Sequence, residues 1–302
     1  MKQKYGFLIL TLCVLGFSAS AYAQLGMFSK QQIIAFTPNW HGARFPDGRP
    51  DVPDSVLERL KDATAEEAWE VLQRAGYHNQ FESGWKVINP SSQRMIGRAV
   101  TAVYMPYRPD VDSVIRANGK KEGRVGFGEN SWIIDTLKPG DVMVVDEFGK
   151  IKDAPIVGAN LATSILTKSH NGVVLNGSVR DVAEIQQIKG FEVFCRGVDP
   201  SFYHNVMLMG INVPIRIRQA TVMPGDIVLS DPEGITFIPP QLAEQVADHA
   251  ELDHLVDDWG EEMLREQKYT PGQIDGQWTN AMIEEFNQWA ASKGSKQRLP
   301  EH

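Results

Sequence analysis

GANLATSILTKSHNGVVLNGSVRDVAEIQQIKGFEVFCRG, residues 158–197, is the stretch that decides the fold of this chain. Its beginning, 158–170, has Leu161, Ile165 and Leu166 at helical spacing with small residues between them, which predicts a helix. Asn171 and Gly172 end that helix, because both tolerate the left-handed backbone that is common after a helix. The stretch therefore opens with a helix that stops just before an apolar run.

A strand, a second short helix and a further strand follow that run. Residues 172–179 predict a buried strand, 182–188 a helix and 192–195 a strand. Arg180 and Asp181 then lie together at the carboxyl end of a strand and at the start of a helix. Open α/β folds bind their ligands at this position, so the pair is the first candidate for a site.

Three ordered blocks resemble the RraA-like family. They are PGDVMVVDEFG at 139–149, GVVLNGSVRD at 172–181 and GFEVFCRG at 190–197. The resemblance extends from about residue 52 to about residue 267 and implies an α/β fold, a swivelling β/β/α layered domain. Members of the family include class II pyruvate aldolases for 4-hydroxy-4-methyl-2-oxoglutarate and a regulator of ribonuclease E. The family also implies a ring-shaped homotrimer, or a homohexamer of two rings.

The Arg-Asp pair suits a metal-dependent retro-aldol reaction on a 2-oxo acid. Mg²⁺ or Mn²⁺ prefers oxygen ligands and retains waters, so one carboxylate, Asp181, can anchor the ion. Arg180 keeps its proton, and its planar fork suits a carboxylate or a developing enolate oxygen. Backbone amides at a helix start suit the substrate carboxylate. The resemblance implies the same roles. The candidate substrate-binding residues are Gly158, Ala159, Asn160, Leu161 and Arg180.

A plainer interpretation of the pair is also open. Asp181 has the residue type and position of a helix cap, and Arg180 has those of a surface residue at a strand end. Spacing alone does not separate this interpretation from a catalytic one.

Ala159 departs from the family pattern. The resembling aldolases carry Glu or Asp directly after the glycine that opens the helix, and Asn160 cannot act as a base in its place. A second carboxylate must therefore come from elsewhere in the protein. The candidates are Asp258 and Glu261 on a long acidic helix, from the same chain or from a neighbouring subunit.

The amino terminus predicts export. Lys2 and Lys4 precede an apolar run at 7–17 and small residues that end at Ala23, the three parts of a secretory signal. We expect cleavage after Ala23 and a periplasmic or secreted protein. A membrane anchor is the alternative, but the apolar run is short for a bilayer.

Charge and cysteine content limit the kinds of partner and cross-link that this protein can have. The formal net charge is -8, and no basic stripe favours nucleic acid. Removal of residues 1–23 leaves one cysteine, Cys195, which excludes an intramolecular disulfide and predicts a buried structural thiol. We expect a small organic acid as the partner and no stable membrane insertion after signal cleavage.

The rest of the chain predicts an extended leader, a main domain and a tail. Residues 24–53 predict a loop-rich leader, 54–268 the α/β domain and 269–302 a helical tail that covers a groove or a neighbouring subunit. Within the domain we expect helices at 55–75, with a Thr64–Glu67 capping box. The other predicted elements are strands at 95–105 and 141–146, a loop at 106–122, helices at 130–137 and 241–266, and a hairpin at 224–239.

Three functions from different classes remain open on the sequence. The first is an exported metal-dependent lyase that acts on a 2-oxo acid or a related sugar-derived acid, by retro-aldol cleavage or decarboxylation. The second is a non-catalytic regulator, which export argues against because ribonuclease E is cytoplasmic. The third is a periplasmic binding module that retains the cavity without the chemistry, which Ala159 favours.

Overall fold

A computed structural model describes residues 28–90, 94–126 and 128–301. The predicted signal peptide, residues 1–23, lies outside them. The helices are α1 Lys30–Phe36, α2 Asp54–Arg59, α3 Ala65–Arg74, α4 Pro109–Lys121, α5 Asn130–Ile134, α6 Ala159–Ser169, α7 Val182–Ile185, α8 Ala243–Arg265, α9 Pro271–Ile274 and α10 Asn280–Ser292. The strands are β1 Phe81–Glu82, β2 Lys86–Ile88, β3 Ile96–Pro106, β4 Asp141–Asp146, β5 Val173–Val179, β6 Val193–Val198, β7 Val206–Ile211, β8 Ile215–Ile217, β9 Ala220–Val222, β10 Ile227–Asp231 and β11 Gly234–Ile238.

One mixed sheet forms the centre of the molecule. Its order is β1-β11-β10-β3-β4-β5-β6-β2, and β7 pairs with the far end of β3. Strands β3, β4, β5 and β6 are parallel neighbours, while β10 and β7 are antiparallel to β3. Every residue of β5 is buried, as expected for a parallel strand covered on both faces. The carboxyl ends of these parallel strands meet at one edge, where Arg180 follows β5.

Apolar layers cover both faces of the sheet. On one face, strand residues such as Val145 and Leu175 pack with α4, α5, α6 and α7 through residues such as Ile165. On the other face, Val144 and Val174 pack against the β8–β9 hairpin. A third cluster joins α2, α3 and the first half of α8 to the β10–β11 edge. This layered α/β architecture is the predicted fold class.

The central predictions are confirmed by the observed elements. Helix α6, strands β4 and β5, and the β10–β11 hairpin all fall within the predicted stretches. Strand β6 overlaps the predicted strand at 192–195 but continues to Val198. The Thr64–Glu67 capping box is present, and its threonine side chain accepts a hydrogen bond from the Glu67 amide. Cys195 is a buried free thiol, and burial raises its pKa to about 11, which suits a structural residue rather than a nucleophile.

Two segments predicted as loops are helical. Within the leader, α1 begins after a Ser29–Gln32 capping box, a signal that the prolines of this region obscured. The predicted loop at 106–122 contains α4, which has Pro109 in its first turn, where proline is tolerated. An Asp112–Arg116 ion pair, one helical turn apart at 2.8 Å, supports α4.

The tail packs on its own chain. Trp259 in the second half of α8 is fully buried among Trp278, Phe286 and Met282. The Trp259 and Trp278 ring centroids are 4.6 Å apart. The apolar residues of the tail therefore cover α8 and give no independent support for a subunit contact. Within residues 28–90, 94–126 and 128–301, no helix has the length and apolar character needed to cross a bilayer.

Two Pro-Gly-Asp corners use the same hydrogen bond in different electrostatic surroundings. Asp141 Oδ2 accepts from the Lys138 amide at 2.8 Å, and Asp226 Oδ2 accepts from the Met223 amide at 2.8 Å. The two carboxylate oxygens of Asp141 also accept hydrogen bonds from the two terminal nitrogens of the buried Arg49, at 3.0 and 3.2 Å. Asp226 is buried with no ion-pair partner among the residues that the structure describes, and burial raises its pKa to about 8.

Asp226→Asn is expected to stabilise the protein at pH 8 and to leave stability near wild type at pH 4.5. The unfolded carboxyl releases its proton near pH 4, whereas the folded one holds it to about pH 8. Wild-type stability therefore falls as pH rises through that window, and the asparagine, which still accepts from Met223, does not titrate. We expect a gain of about 2 kcal/mol or more at pH 8, measured by urea unfolding across pH.

Asp141→Asn is the matched control. It leaves the Arg49 guanidinium buried with one charged partner fewer, so it is expected to cost about 3–5 kcal/mol at pH 8, the pH at which Asp226→Asn is expected to stabilise the protein. Equal pH dependence of the Asp226 variant and wild type would contradict the assignment of a protonated Asp226.

Candidate functional site

The end of β5 holds the start of α6 beside Arg180 and Asp181. Val157 and Val179 form an isolated parallel bridge, and the Arg180 amide donates to the Val157 carbonyl at 3.1 Å. The segment that leads into α6 thus lies alongside the last residue of β5. Ala159 and Asp181, which are 22 positions apart in sequence, therefore meet at one corner of the sheet.

Asp181 caps a helix, but not its own. It precedes α7 with no side-chain capping bond there, and its backbone is left-handed, with φ 57° and ψ 43°. Aspartate is among the few residues other than glycine that adopt this conformation without large strain. Its Oδ2 accepts instead from the Ala159 amide at the start of α6, at 3.2 Å. The interpretation in which Asp181 serves only α7 does not describe the observed contact.

Arg180 lies against the same carboxylate. Its Nε is 3.7 Å from Asp181 Oδ2, and the two side chains are 40% and 42% exposed. Each therefore keeps contact with solvent and with the adjoining cavity. At this exposure the ion pair between these two consecutive residues contributes little stability.

Gly158 makes room for this arrangement. A Cβ atom on residue 158 would lie 2.4 Å from Asp181 Oδ2 and 3.0 Å from Arg180 Nε. The backbone of Gly158 is ordinary, with φ −122°, so the glycine is required by space rather than by conformation. A glycine also offers no side chain to cap α6, and Asn160 and Leu161 of its first turn line the adjoining cavity, where helix-start amides suit an anionic ligand.

A cavity of about 400 Å³ contains the predicted residues. Its size suits a small organic molecule. Phe202, Leu161 and Ile156 supply apolar wall, while Arg180 and Asp181 supply charge. The described residues that line it are Gly128, Asn130, Pro155, Ile156, Gly158, Asn160, Leu161, Arg180, Asp181, Phe202 and Tyr203. Ala159 is not among these lining residues, and its backbone amide donates to Asp181.

A larger cavity lies elsewhere and contains none of the predicted residues. Its volume is about 460 Å³, and its lining includes Tyr77, Gln80, Asp226 and Gln241. It lies near the polar corner after α3 rather than at the carboxyl ends of the parallel strands. The smaller cavity has the chemistry expected at that sheet edge.

The structure does not bring the predicted second carboxylates to the cavity of their own chain. Asp258 and Glu261 are exposed on α8, and Glu261 pairs with Arg265 one turn along the same helix. Neither residue lines the cavity. A contribution from a neighbouring subunit stays a prediction.

The sequence interpretation missed Glu129 and Tyr203. Glu129 is fully buried beside the cavity, and Tyr203 donates a hydrogen bond to its Oε2 at 3.3 Å. Residue 129 directly precedes the helix predicted at 130–137, and the two residues are 74 positions apart. No local pattern links them, so only the folded chain shows the pair.

The donor set fits an ion that keeps most of its water. Among residues 28–90, 94–126 and 128–301, no group of three or more His, Cys, Asp or Glu side chains could hold a metal. An ion at this corner would rest on Asp181 and water ligands. Mg²⁺ suits that arrangement, because it dehydrates reluctantly and is often bound through one or two carboxylates.

Comparison with known proteins agrees with the fold and with the blocks around the site. The profile of the RraA-like family, described as Aldolase/RraA, matches residues 54–237, more than half of the chain. A 4-hydroxy-4-methyl-2-oxoglutarate aldolase of Thermus thermophilus is 29% identical over 116 residues, which cover 37% of this chain and 70% of the relative. This chain is thus similar in sequence to a named aldolase over part of its length, and the family profile spans the residues of the site.

Other relatives and a solved structure match different shares of this chain. The Legionella pneumophila protein DlpA is 30% identical over 199 residues, which cover 65% of this chain but only 29% of DlpA. A Halalkalibacterium halodurans relative is 31% identical over 130 residues, 42% of this chain and 61% of its own length. The crystal structure of Streptomyces coelicolor RraAS2, described as an unusual member of the RNase ES inhibitor RraA family, superposes with a TM-score of 0.56. It is 23% identical and covers 72% of this chain and 98% of its own, a likeness of fold.

Asp181→Asn is expected to abolish stabilisation by Mg²⁺ or Mn²⁺ in a thermal melt. Asparagine tolerates the left-handed backbone and can still accept from the Ala159 amide, so the fold should persist. A ligand that binds only the folded state raises the melting temperature in proportion to the logarithm of its concentration, and loss of the charged ligand removes that rise. A metal-dependent shift of wild-type size in the variant would locate the ion elsewhere.

Proposed function

The chain belongs to the RraA-like family, and we propose that it is a divalent-metal-dependent lyase that cleaves a 2-oxo acid or a related sugar-derived acid. The reaction is retro-aldol cleavage or decarboxylation. One observation carries the proposal: Arg180, Asp181 and the open start of α6 share a single cavity of about 400 Å³. These are the groups that the enolate chemistry of a 2-oxo acid requires.

Backbone amides, Arg180 and Asp181 each act on a different part of the substrate. The amides of Asn160 and Leu161 bind the substrate carboxylate, because a helix start carries partial positive charge and free donors. The Arg180 fork binds the oxygen on which negative charge develops when the carbon–carbon bond breaks. Asp181 would hold Mg²⁺ or Mn²⁺, which supplies Lewis-acid polarisation of the substrate oxygens when bound.

A binding module is the second candidate, and Ala159 is the observation that favours it. The position after Gly158 offers no carboxylate, and the Ala159 amide is already used by Asp181. A protein that retained the cavity without a base would bind the acid and release nothing. Pyruvate release from a panel of 2-oxo acids, with and without EDTA, separates the two candidates.

A regulatory role like that of the RNase ES inhibitor family has less support. The cavity and its Arg-Asp pair have no evident use in a protein that acts only by contact. The predicted signal at residues 1–23 would also separate this protein from a cytoplasmic ribonuclease. We therefore favour the lyase.

Export and assembly belong to the same proposal. We expect a periplasmic or secreted protein that begins at Gln24 and assembles as a homotrimer or homohexamer. Native mass spectrometry of the protein recovered from the periplasm tests both, because it reports the subunit mass and the number of copies. A monomer at micromolar concentration, or a subunit that retains residues 1–23, would contradict the corresponding half.

Arg180→Ala is expected to lower turnover by about a hundred- to a thousandfold, the usual cost of removing one donor to a developing oxyanion. Arg180→Lys keeps the charge but loses the planar fork, so it should be nearly as impaired. The measurement is steady-state kinetics on 2-oxo acids with saturating Mg²⁺. An interaction made mainly in the transition state lowers kcat rather than raising KM.

Thr163→Ala is the control on the same helix. Thr163 is exposed, and its hydroxyl donates to the Ala159 carbonyl within the same helix, at 3.0 Å, so removal of this hydroxyl should leave kcat near wild type. If Arg180→Ala raises KM and leaves kcat intact, the arginine binds substrate and does not stabilise the developing charge.

A further inference from the structure

A buried carboxyl group lies directly behind the wall of the proposed active site. Glu129 is 0% exposed, at the residue that precedes α5. Its Oε1 is 2.8 Å from the Arg116 guanidinium, and its Oε2 accepts from the Tyr203 hydroxyl at 3.3 Å. The carboxyl group therefore joins a fixed positive charge on one side to a phenol on the other.

Tyr203 connects this carboxyl group to the cavity. It is part of the cavity lining, and its ring packs edge-on against the buried Tyr104, with centroids 6.1 Å apart. Its hydroxyl lies so close to Gly128 that a Cβ atom there would be 2.3 Å from the oxygen. Burial raises the pKa of Tyr203, so the phenol keeps its proton at neutral pH. The hydroxyl is held in place from two sides.

The cavity lacks a second carboxylate of its own. Among the described residues that line it, Asp181 is the one acid, and the proposed function assigns it to the metal. Residue 159 is alanine, so no base stands at the helix start. Retro-aldol cleavage nevertheless requires that the hydroxyl group of the substrate lose its proton.

We propose that Tyr203 and Glu129 form the proton relay of this site, in which Tyr203 is the catalytic residue and Glu129 acts through it. The Tyr203 oxygen takes the proton of the substrate's 4-hydroxyl group as its own proton passes to the Glu129 carboxylate. The C3–C4 bond then breaks, the 4-oxygen becomes a carbonyl, and the electron pair forms the enolate. The proton returns from Glu129 through Tyr203 to C3, which yields the 2-oxo acid. This inference rests on the proposed lyase function.

Several charged and polar groups set the state of Glu129. Arg116 and Asp112 face it from α4, Tyr203 from the loop before β7, and Tyr104 from β3. A purely structural ion pair with Arg116 would account for the burial of the carboxyl group. It does not account for a phenol placed between that carboxyl group and the cavity, because phenylalanine would fill the same wall.

The test compares two reactions that form the same kind of enolate, only one of which requires removal of a hydroxyl proton. Cleavage of 4-hydroxy-4-methyl-2-oxoglutarate requires removal of a hydroxyl proton, which the relay later returns to C3. Oxaloacetate loses carbon dioxide from a carboxylate with no proton to remove, so the relay gains none and C3 of the enolate takes its proton from water. Tyr203→Phe deletes one oxygen. We expect it to lower kcat for the aldol substrate by about a hundredfold or more and to change kcat for oxaloacetate by no more than about threefold.

Variants of Glu129 separate the relay from a packing role. Glu129→Gln keeps the shape and should reproduce the split between the two substrates, while Glu129→Asp keeps the carboxylate and should recover part of the aldol rate. Phe202→Leu is the matched control: Phe202 lines the same cavity next to Tyr203 and has no proton to give. It should alter both reactions in parallel. Melting temperatures establish that each variant is folded.

The outcomes distinguish this inference from the function on which it rests. If Tyr203→Phe lowers both rates equally, or neither, the relay is wrong and the lyase stands. If wild type releases pyruvate from neither substrate with Mg²⁺ or Mn²⁺ present, the lyase is wrong and the relay has no reaction to serve. A loss confined to the aldol substrate in Tyr203→Phe and Glu129→Gln supports the relay.

Discussion

The hydrogen bond from the Ala159 amide to Asp181, at 3.2 Å, is the contact through which the site is assembled. It joins the start of α6 to the carboxyl end of β5, and both elements are anchored in the same buried cluster. The bond requires the short approach that Gly158 permits and the left-handed backbone that Asp181 adopts. Because a rigid helix and a rigid strand hold its two ends, the corner has little freedom to open. The Arg-Asp pair is thereby held in place before any substrate arrives.

Local patterns were sufficient to predict this corner. The apolar run of β5, the helical spacing in α6 and the Arg-Asp pair at the strand end are contiguous in sequence. The spacing of apolar residues and the position of the pair after the strand were therefore enough to predict them. The partner of Asp181 was not predictable in the same way. A carboxylate at a helix start normally caps that helix, and only the packing of α6 against β5 shows that it caps the neighbour instead.

Contacts between distant segments explain most of what the sequence did not predict. Arg49 belongs to a leader rich in turns, yet it is buried in a bidentate pair with Asp141, 92 residues away. The pairing ties the leader to the domain, and nothing local to either residue indicates it. The same holds for Glu129 and Tyr203 at the site. The sequence around each residue gives no signal of a function, and the two meet only where α5 lies beside the loop before β7.

Charge balance gives a physical reason for placing an acid behind a phenol rather than at residue 159. A carboxylate there would lie beside Asp181 and would face an anionic substrate, and like charges at such distances oppose one another. Glu129 is paired with Arg116, so its charge is compensated on the side away from the cavity. The Tyr203 hydroxyl presents no net charge to the substrate and still connects it to a base. Alanine at 159 and the buried Glu129 therefore describe one arrangement, in which negative charge is kept away from the substrate carboxylate while a path for the proton remains.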